Sequence, residues 1–319
     1  MDTGQRGFKE SFLLLLKGIG MGGADVVPGV SGGTIAFITG IYEELLESIK
    51  QFDLPALRFL FNFQFKKFWS HINGNFLVVL LSGIFLSLLT LSRLISYLLM
   101  VYPILVWSFF FGLIIISSIS VSREIKIWNF RVVIVGIIGV AIAYYVTIAT
   151  PAETSTELWF IFISGAIAIC AMILPGISGS FILLIMGKYE YVLNAVRDFN
   201  IPVIVVFGIG CVVGILSFAR LISWLLKNYH NTALALLAGF MVGSLNKIWP
   251  WKIVVAYRID SDGIEIPLIE RNIMPGEYAQ SVGDPQTLWA ILFIALGILL
   301  VIALEVIATS LKGRTPEVN

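Results

Sequence analysis

The chain has 319 residues, 58% hydrophobic and 13% charged, with a net charge of +1 and a mean hydropathy of +0.94. No water-soluble domain has enough surface for that composition, which marks a polytopic membrane protein. The near-neutral balance excludes binding of nucleic acid or another polyanion through bulk charge, and leaves the placement of individual charges as the informative quantity.

Residues 1–11 are polar and carry Arg6 and Lys9. The run that follows resembles a secretory signal in outline, but Lys17 interrupts it and it belongs to a duplicated unit, so no signal peptide is expected. Two apolar segments follow, Phe12 to Val27 and Thr34 to Leu46, joined by Pro28-Gly-Val-Ser-Gly-Gly33. Each is shorter than the roughly 20 residues a crossing helix needs. Together they read as a re-entrant hairpin over 12–46, whose turn is tolerable at depth only where protein or a wet cavity surrounds it.

Residues 47–75 are aromatic and basic, with Lys50, Arg58, Lys66, Lys67 and Trp69 among them, and predict an interfacial amphipathic helix in contact with membrane lipids. Three long apolar spans follow at 76–100, 103–120 and 131–150. A second hairpin is predicted over 157–195, then spans at 201–226, 232–248 and 288–310, with a polar loop at 249–287.

The second half copies the first. Between Pro28 and Leu46, ten of nineteen positions are identical to those 147 residues further on, including Pro175, Gly176, Ser178, Gly179, Gly187, Tyr189 and Glu190. Shared leucines arise by chance in apolar helices, but a doubled Pro-Gly-x-Ser-Gly followed by Gly-x-Tyr-Glu does not. Further along, Ser92 to Leu99 matches Ala219 to Leu226 at an offset of 127, the difference being the insert present only in the first half. One hairpin plus three crossings has odd parity, so two tandem units must lie in opposite orientations, the plan of many secondary transporters. The expected fold is therefore an all-α membrane protein of two inverted repeats, residues 1–150 and 151–319. Placing both termini in the cytoplasm puts twelve Lys and Arg on that side, against Arg197, Lys252, Arg258 and Arg271 opposite.

Chemistry is expected at the hairpin tips. Ser31 and Ser178 can cap the helices that follow, and the glycines let a ligand approach the backbone. Free N–H groups at a helix start then favour an anion, which singles out Ser31, Gly32, Gly33, Thr34, Ser178, Gly179 and Ser180. Tight packing of small residues is the plainer explanation. Arg93 and Arg220 lie at equivalent positions inside apolar spans, where a charge is costly and points to function. A guanidinium pair suits a phosphate monoester, and snorkelling to the interface is the alternative. Glu43 and Glu190 are equivalents that serve either a coupling proton or cation or the hairpin mouth. Asp25 precedes the first turn and has Met172 as its counterpart.

The two histidines, His71 and His230, fall in expected loops, and Cys170 and Cys211 read as small core residues. With no ligand cluster and no nucleophile–base set, neither a metal, a cofactor nor an enzymatic activity is expected.

The doubled PG[VI]SG turn with its G-x-YE continuation resembles, over essentially the whole chain, a bacterial and archaeal membrane family. That family, formerly a domain of unknown function, is associated with polyprenyl-phosphate translocation (the PopT type). The resemblance implies a flippase that returns undecaprenyl phosphate, the carrier lipid of cell-wall synthesis, across the cytoplasmic (inner) membrane. Its motifs fall here on Pro28 to Gly33 and on Pro175 to Ser180, the latter ending in serine rather than glycine. A lipid monophosphate suits a midplane site of two helix starts and two arginines. The competing reading is a transporter or channel for a small soluble anion, which the same tips would serve.

Overall fold

The two Pro-Gly turns are built on glycines that only a left-handed backbone satisfies. Gly29 has φ +84° and Gly176 φ +87°, and eleven residues beyond each, Gly40 and Gly187 have φ +70° and +63°. An L-residue pays a steric penalty there that glycine avoids. The computed structural model describes residues 6–27, 29–152, 154–259 and 265–312. Residues 1–5, Pro28, Glu153, 260–264 and 313–319 lie outside them.

In the first half α1 (Phe8–Asp25) leads to the first tip, α2 (Gly32–Ile38) and α3 (Tyr42–Lys50). The insert forms α4 (Leu54–Phe61) and α5 (Phe65–His71), and the long helices are α6 (Gly74–Val101), α7 (Pro103–Arg123) and α8 (Phe130–Ile148). The second half runs through α9 (Leu158–Ile173), α10 (Gly179–Ile185), α11 (Tyr189–Arg197), α12 (Ile201–Asn228) and α13 (His230–Ser244). A β-hairpin of β1 (Lys252–Ile259) and β2 (Glu265–Asn272), a short α14 (Pro275–Ser281) and α15 (Thr287–Lys312) complete it.

Among the described residues α6, α7, α8, α12 and α15 are long and apolar enough to cross a membrane, and the protein is a multi-pass membrane protein. The span expected at 232–248 ends early. Its helix α13 has 15 residues, about 22 Å of rise, and the chain then turns through Lys247 toward Trp249 and Trp251. Each outgoing hairpin arm also differs from the single segment expected. The left-handed glycines at 40 and 187 break it into two helices, α2 and α3 in one half and α10 and α11 in the other.

The expected amphipathic helix over 47–75 is likewise two short helices. Phe63, in the left-handed region at φ +57°, divides them, and Asp53 caps α4 by accepting from Ala56 N at 3.0 Å. Leu54, Phe61, Phe63 and Phe65 remain exposed beside Arg58, Lys66 and Lys67. The predominantly helical expectation holds, with the β-hairpin as an addition in the loop at 249–287. Its Trp251 indole donates to Pro285 O and its Trp249 neighbour to Ile273 O, both at 2.8 Å.

Packing repeats with the sequence. Helix α1 lies on α6 and α9 lies on α12, each pair pressed together at a glycine. A Cβ on Gly83 would fall 2.4 Å from Leu15 O, and one on the equivalent Gly210 would fall 2.1 Å from Phe162 O. The last helices cross over: α8 packs on α13, and α15 packs on α7. Gly139 and Gly239 bring the first of these pairs together, Gly297 and Gly112 the second. Close glycine approaches of this kind supply helix association where lipid offers no hydrophobic driving force.

Candidate functional site

The two tips touch. Ser31, buried, accepts at Oγ from Gly33 N at 3.1 Å, capping α2, and donates to Met172 O at 2.9 Å. Thr34 Oγ1 accepts from Gly176 N at 3.0 Å. Gly33 lies so close to the second tip that a Cβ there would be 2.5 Å from Ile173 O. Two turns related by the duplication but far apart in sequence thus meet through a pair of hydrogen bonds.

The tips are not equivalent in detail. In the first, Asp25 Oδ1 accepts from Gly32 N at 2.7 Å, so the chain's own carboxylate occupies the start of α2. In the second, the corresponding residue is Met172, and Ser178 makes no cap. Its hydroxyl pairs instead with that of Ser180 at 2.8 Å. Ser31, Gly32, Gly33 and Thr34 are all buried, as are Ser178 and Gly179, whereas Ser180 and Met172 are exposed.

The arginines lie elsewhere on their helices. Leu91 and Ile95 of α6 turn toward Gly23 of α1, and Arg93, half a turn away from both, is exposed. Arg220 is also exposed and donates from Nη2 to Phe52 O at 3.3 Å, next to the mouth of the first hairpin. Glu43 is exposed in the first turn of α3, and Glu190 is half-buried in the first turn of α11. Around them α3 is held by Glu44 pairing with Arg6 and by Ser223 of α12 donating to Glu47 at 3.1 Å.

A third cluster was not singled out from the sequence. The aliphatic stem of Lys247 crosses Gly29, where a Cβ would fall 2.6 Å from its Cγ. Its ammonium lies 4.6 Å from the centre of the Phe181 ring on α10. It reaches Glu270 Oε2 at 3.1 Å, and Lys252 reaches the same oxygen at 3.5 Å. Lys252 also donates to Lys247 O at 2.6 Å and lies 3.8 Å over the Trp107 ring. Burial pulls the Lys252 ammonium down to about 8, with Glu270 opposing and Lys247 reinforcing the drop. Burial pushes the Glu270 carboxyl up, but the charges of Lys252 and Lys247 outweigh it and hold the group below the usual carboxylate range. The sequence signal was a lysine at the end of an apolar segment, two residues before Trp249-Pro250-Trp251. A cavity of about 310 Å³ adjoins the cluster, between the end of α8, α10 and the β-hairpin.

Comparison with known proteins adds to this geometry. Residues 21–266 match the family described as undecaprenyl phosphate translocase-like. The chain belongs to that family. A polyprenyl-phosphate transporter of Vibrio cholerae is 48% identical over 292 residues, covering 91% of this chain and 94% of the relative. A polyprenyl-phosphate transporter of Staphylococcus aureus is 34% identical over 259 residues, covering 74% of this chain and 85% of the relative. No solved structure matches the chain. The segment matched to the translocase-like family includes both tips, both arginines, Lys247 and Lys252, and ends four residues before Glu270.

Proposed function

We propose that this protein is a transporter that moves polyprenyl phosphate, in particular undecaprenyl phosphate, between membrane leaflets. The observation that carries the reading is the direct contact between the duplicated tips, Ser31 to Met172 and Thr34 to Gly176, in a chain whose relatives are polyprenyl-phosphate transporters. The two halves form inverted repeats with re-entrant hairpins, and the tips meet near the midplane. The head group binds among Ser31, Gly32, Gly33, Thr34, Ser178, Gly179 and Ser180 once the tips part, while the polyprenyl tail stays in lipid. Arg93 and Arg220, on outward-facing positions, guide the phosphate along the lipid-facing route. The two sides are exposed alternately, and a proton or cation at Glu43, Glu190 or Asp25 couples the cycle to a gradient.

The test is carried out in proteoliposomes containing undecaprenyl phosphate, with a soluble phosphatase added outside. Without transport, about half the lipid is protected, because only one leaflet faces the enzyme. The reading expects that protected pool to drain when the protein is present, and to drain slowly with Arg93→Ala or Arg220→Ala. Persistence of the protected pool in the presence of folded wild type would sink it. Equal inhibition by a soluble anion and by the lipid would point instead to a small-anion transporter.

A further inference from the structure

We propose that the cavity beneath the β-hairpin docks the phosphate of an amphiphilic phosphomonoester, and that Glu270 is a tethered anion that holds its two lysines until the phosphate displaces it. The inference rests on the transport reading above and adds a second stop on the same route.

Charge is the first argument. Lys247 and Lys252 converge on a single oxygen of Glu270, and their side chains are only 17% and 7% exposed. Arg271, at the cavity's edge, is already paired with Glu277 at 3.0 Å. Two largely enclosed ammonium groups therefore share one carboxylate, an arrangement that leaves positive charge only partly compensated where hydration is reduced. A phosphomonoester dianion brings a second negative charge and three acceptor oxygens. Exchanging Glu270 for it neutralises both lysines.

The walls supply the second argument. The lining is mixed, with Lys247, Lys252 and Asn272 supplying polar groups and Ile148, Phe181 and Leu184 apolar ones. Free phosphate has no use for the apolar groups, whereas a phosphate on a hydrocarbon chain uses both. At about 310 Å³ the space lies at the small end of ligand pockets. It fits a head group and the beginning of its chain, with the remainder passing outward over the exposed flank of α8, where Ile137, Ile138 and Tyr145 face away from the protein.

Connection to the tips is the third. Lys247 leans on Gly29 of the first tip and faces Phe181, the residue after Ser180 in the second. Whatever replaces Glu270 therefore acts on a side chain in contact with both hairpins, which places this pocket beside the contact between the tips.

The test titrates undecaprenyl phosphate into the full chain in detergent at about pH 7, where Lys252 keeps most of its charge and the phosphate is largely dianionic. Wild type is compared with Lys247→Gln, Lys252→Gln and Glu270→Gln, and inorganic phosphate is run as competitor. Removing the tethered anion should tighten lipid binding about tenfold, and each lysine change should weaken it by about tenfold or more. A gain of affinity in Glu270→Gln cannot come from misfolding. If wild type binds and all three variants bind equally well, the pocket proposal fails while the transport reading stands. Weaker binding by Glu270→Gln, with its fold intact, makes Glu270 part of the scaffold and also overturns it. Competition by inorganic phosphate at matched concentration replaces the amphiphile with a free anion. If wild type binds no lipid phosphate, the transport reading and this inference fall together.

Discussion

The Ser31 hydroxyl donates to the backbone carbonyl of Met172 across 2.9 Å, linking the first hairpin to the position in the second that corresponds to Asp25. The same oxygen caps α2 by accepting from Gly33 N, so one buried hydroxyl both starts a helix and joins the halves. Among the described residues Ser178, its counterpart, reaches only Ser180. Ser31→Ala should cost about 1–2 kcal/mol, and Ser178→Ala about 0.5 kcal/mol or less. Thermal unfolding of the two variants in detergent gives the comparison, and equal losses would contradict the asymmetry.

Asp25 closes the start of α2 through Gly32 N. Asparagine keeps an acceptor there, whereas leucine removes it and leaves a donor unpaired in the interior. Asp25→Leu should lower stability by about 2 kcal/mol, with Asp25→Asn much closer to wild type. A binding or transport defect in the folded Asp25→Asn variant would then belong to the charge, and its absence would remove Asp25 from the coupling scheme.

The crossed helix pairs predict matched sensitivities. A Cβ on Gly112 would fall 2.1 Å from Ile294 O, and one on Gly239 would fall 2.3 Å from Gly136 O. Backbone on both sides leaves no flexible group to yield, so each glycine-to-alanine change should cost about 1–3 kcal/mol. Gly208→Ala, with nothing within 4 Å of the added carbon, should be neutral or slightly stabilising. Unfolding temperatures that rank Gly208→Ala with the other two would show that the crossings are looser than described.

Lys252 makes stability depend on pH. Its pKa in the fold is about 8, against 10.5 for the free side chain, because burial disfavours its charge. Between those values the unfolded chain binds more protons than the folded one, so stability contributed at this site rises with pH. Below about 8 the cost of keeping Lys252 charged is present in full. The groups facing it are Glu270, Lys247 and the Trp107 ring. Relative to Lys252→Met, wild type should therefore gain stability as pH rises from about 8 toward 10.5. Paired melting curves across that range check the sign, and a difference that falls or stays flat rejects it.

Much of the architecture was legible because the duplication is. The recurrence of Pro-Gly-x-Ser-Gly marked both tips, and the left-handed Gly29 and Gly176 explain why those letters recur: the turn tolerates nothing larger. The breaks at Gly40 and Gly187 were less visible, since each follows an apolar run with no proline to mark a stop and only its backbone angle separates the helices. The contact between the tips could not be read at all. Ser31 meets Met172 through the latter's carbonyl, and a carbonyl carries no residue-specific signal. Arg93 and Arg220 stood out because charge is rare in apolar spans, yet rarity says nothing about which face of a helix they occupy. Lys247 and Lys252 did not stand out as site residues for the converse reason: they border a loop where lysine is ordinary, and only folding brings them onto one carboxylate.

The crossed packing of the final helices bears on how the chain is made. Helix α8 finds its partner on α13, which leaves the ribosome only after α9 to α12 have been synthesised. Until then its glycine face, at Gly139, has lipid for company. Helix α15 meets the opposite situation, arriving last to a site on α7 that has stood open since the first half was inserted. The first half cannot reach its mature form during its own synthesis. The nascent first half is an unfinished intermediate by construction, and the arrival of α15 is the step that locks the molecule shut.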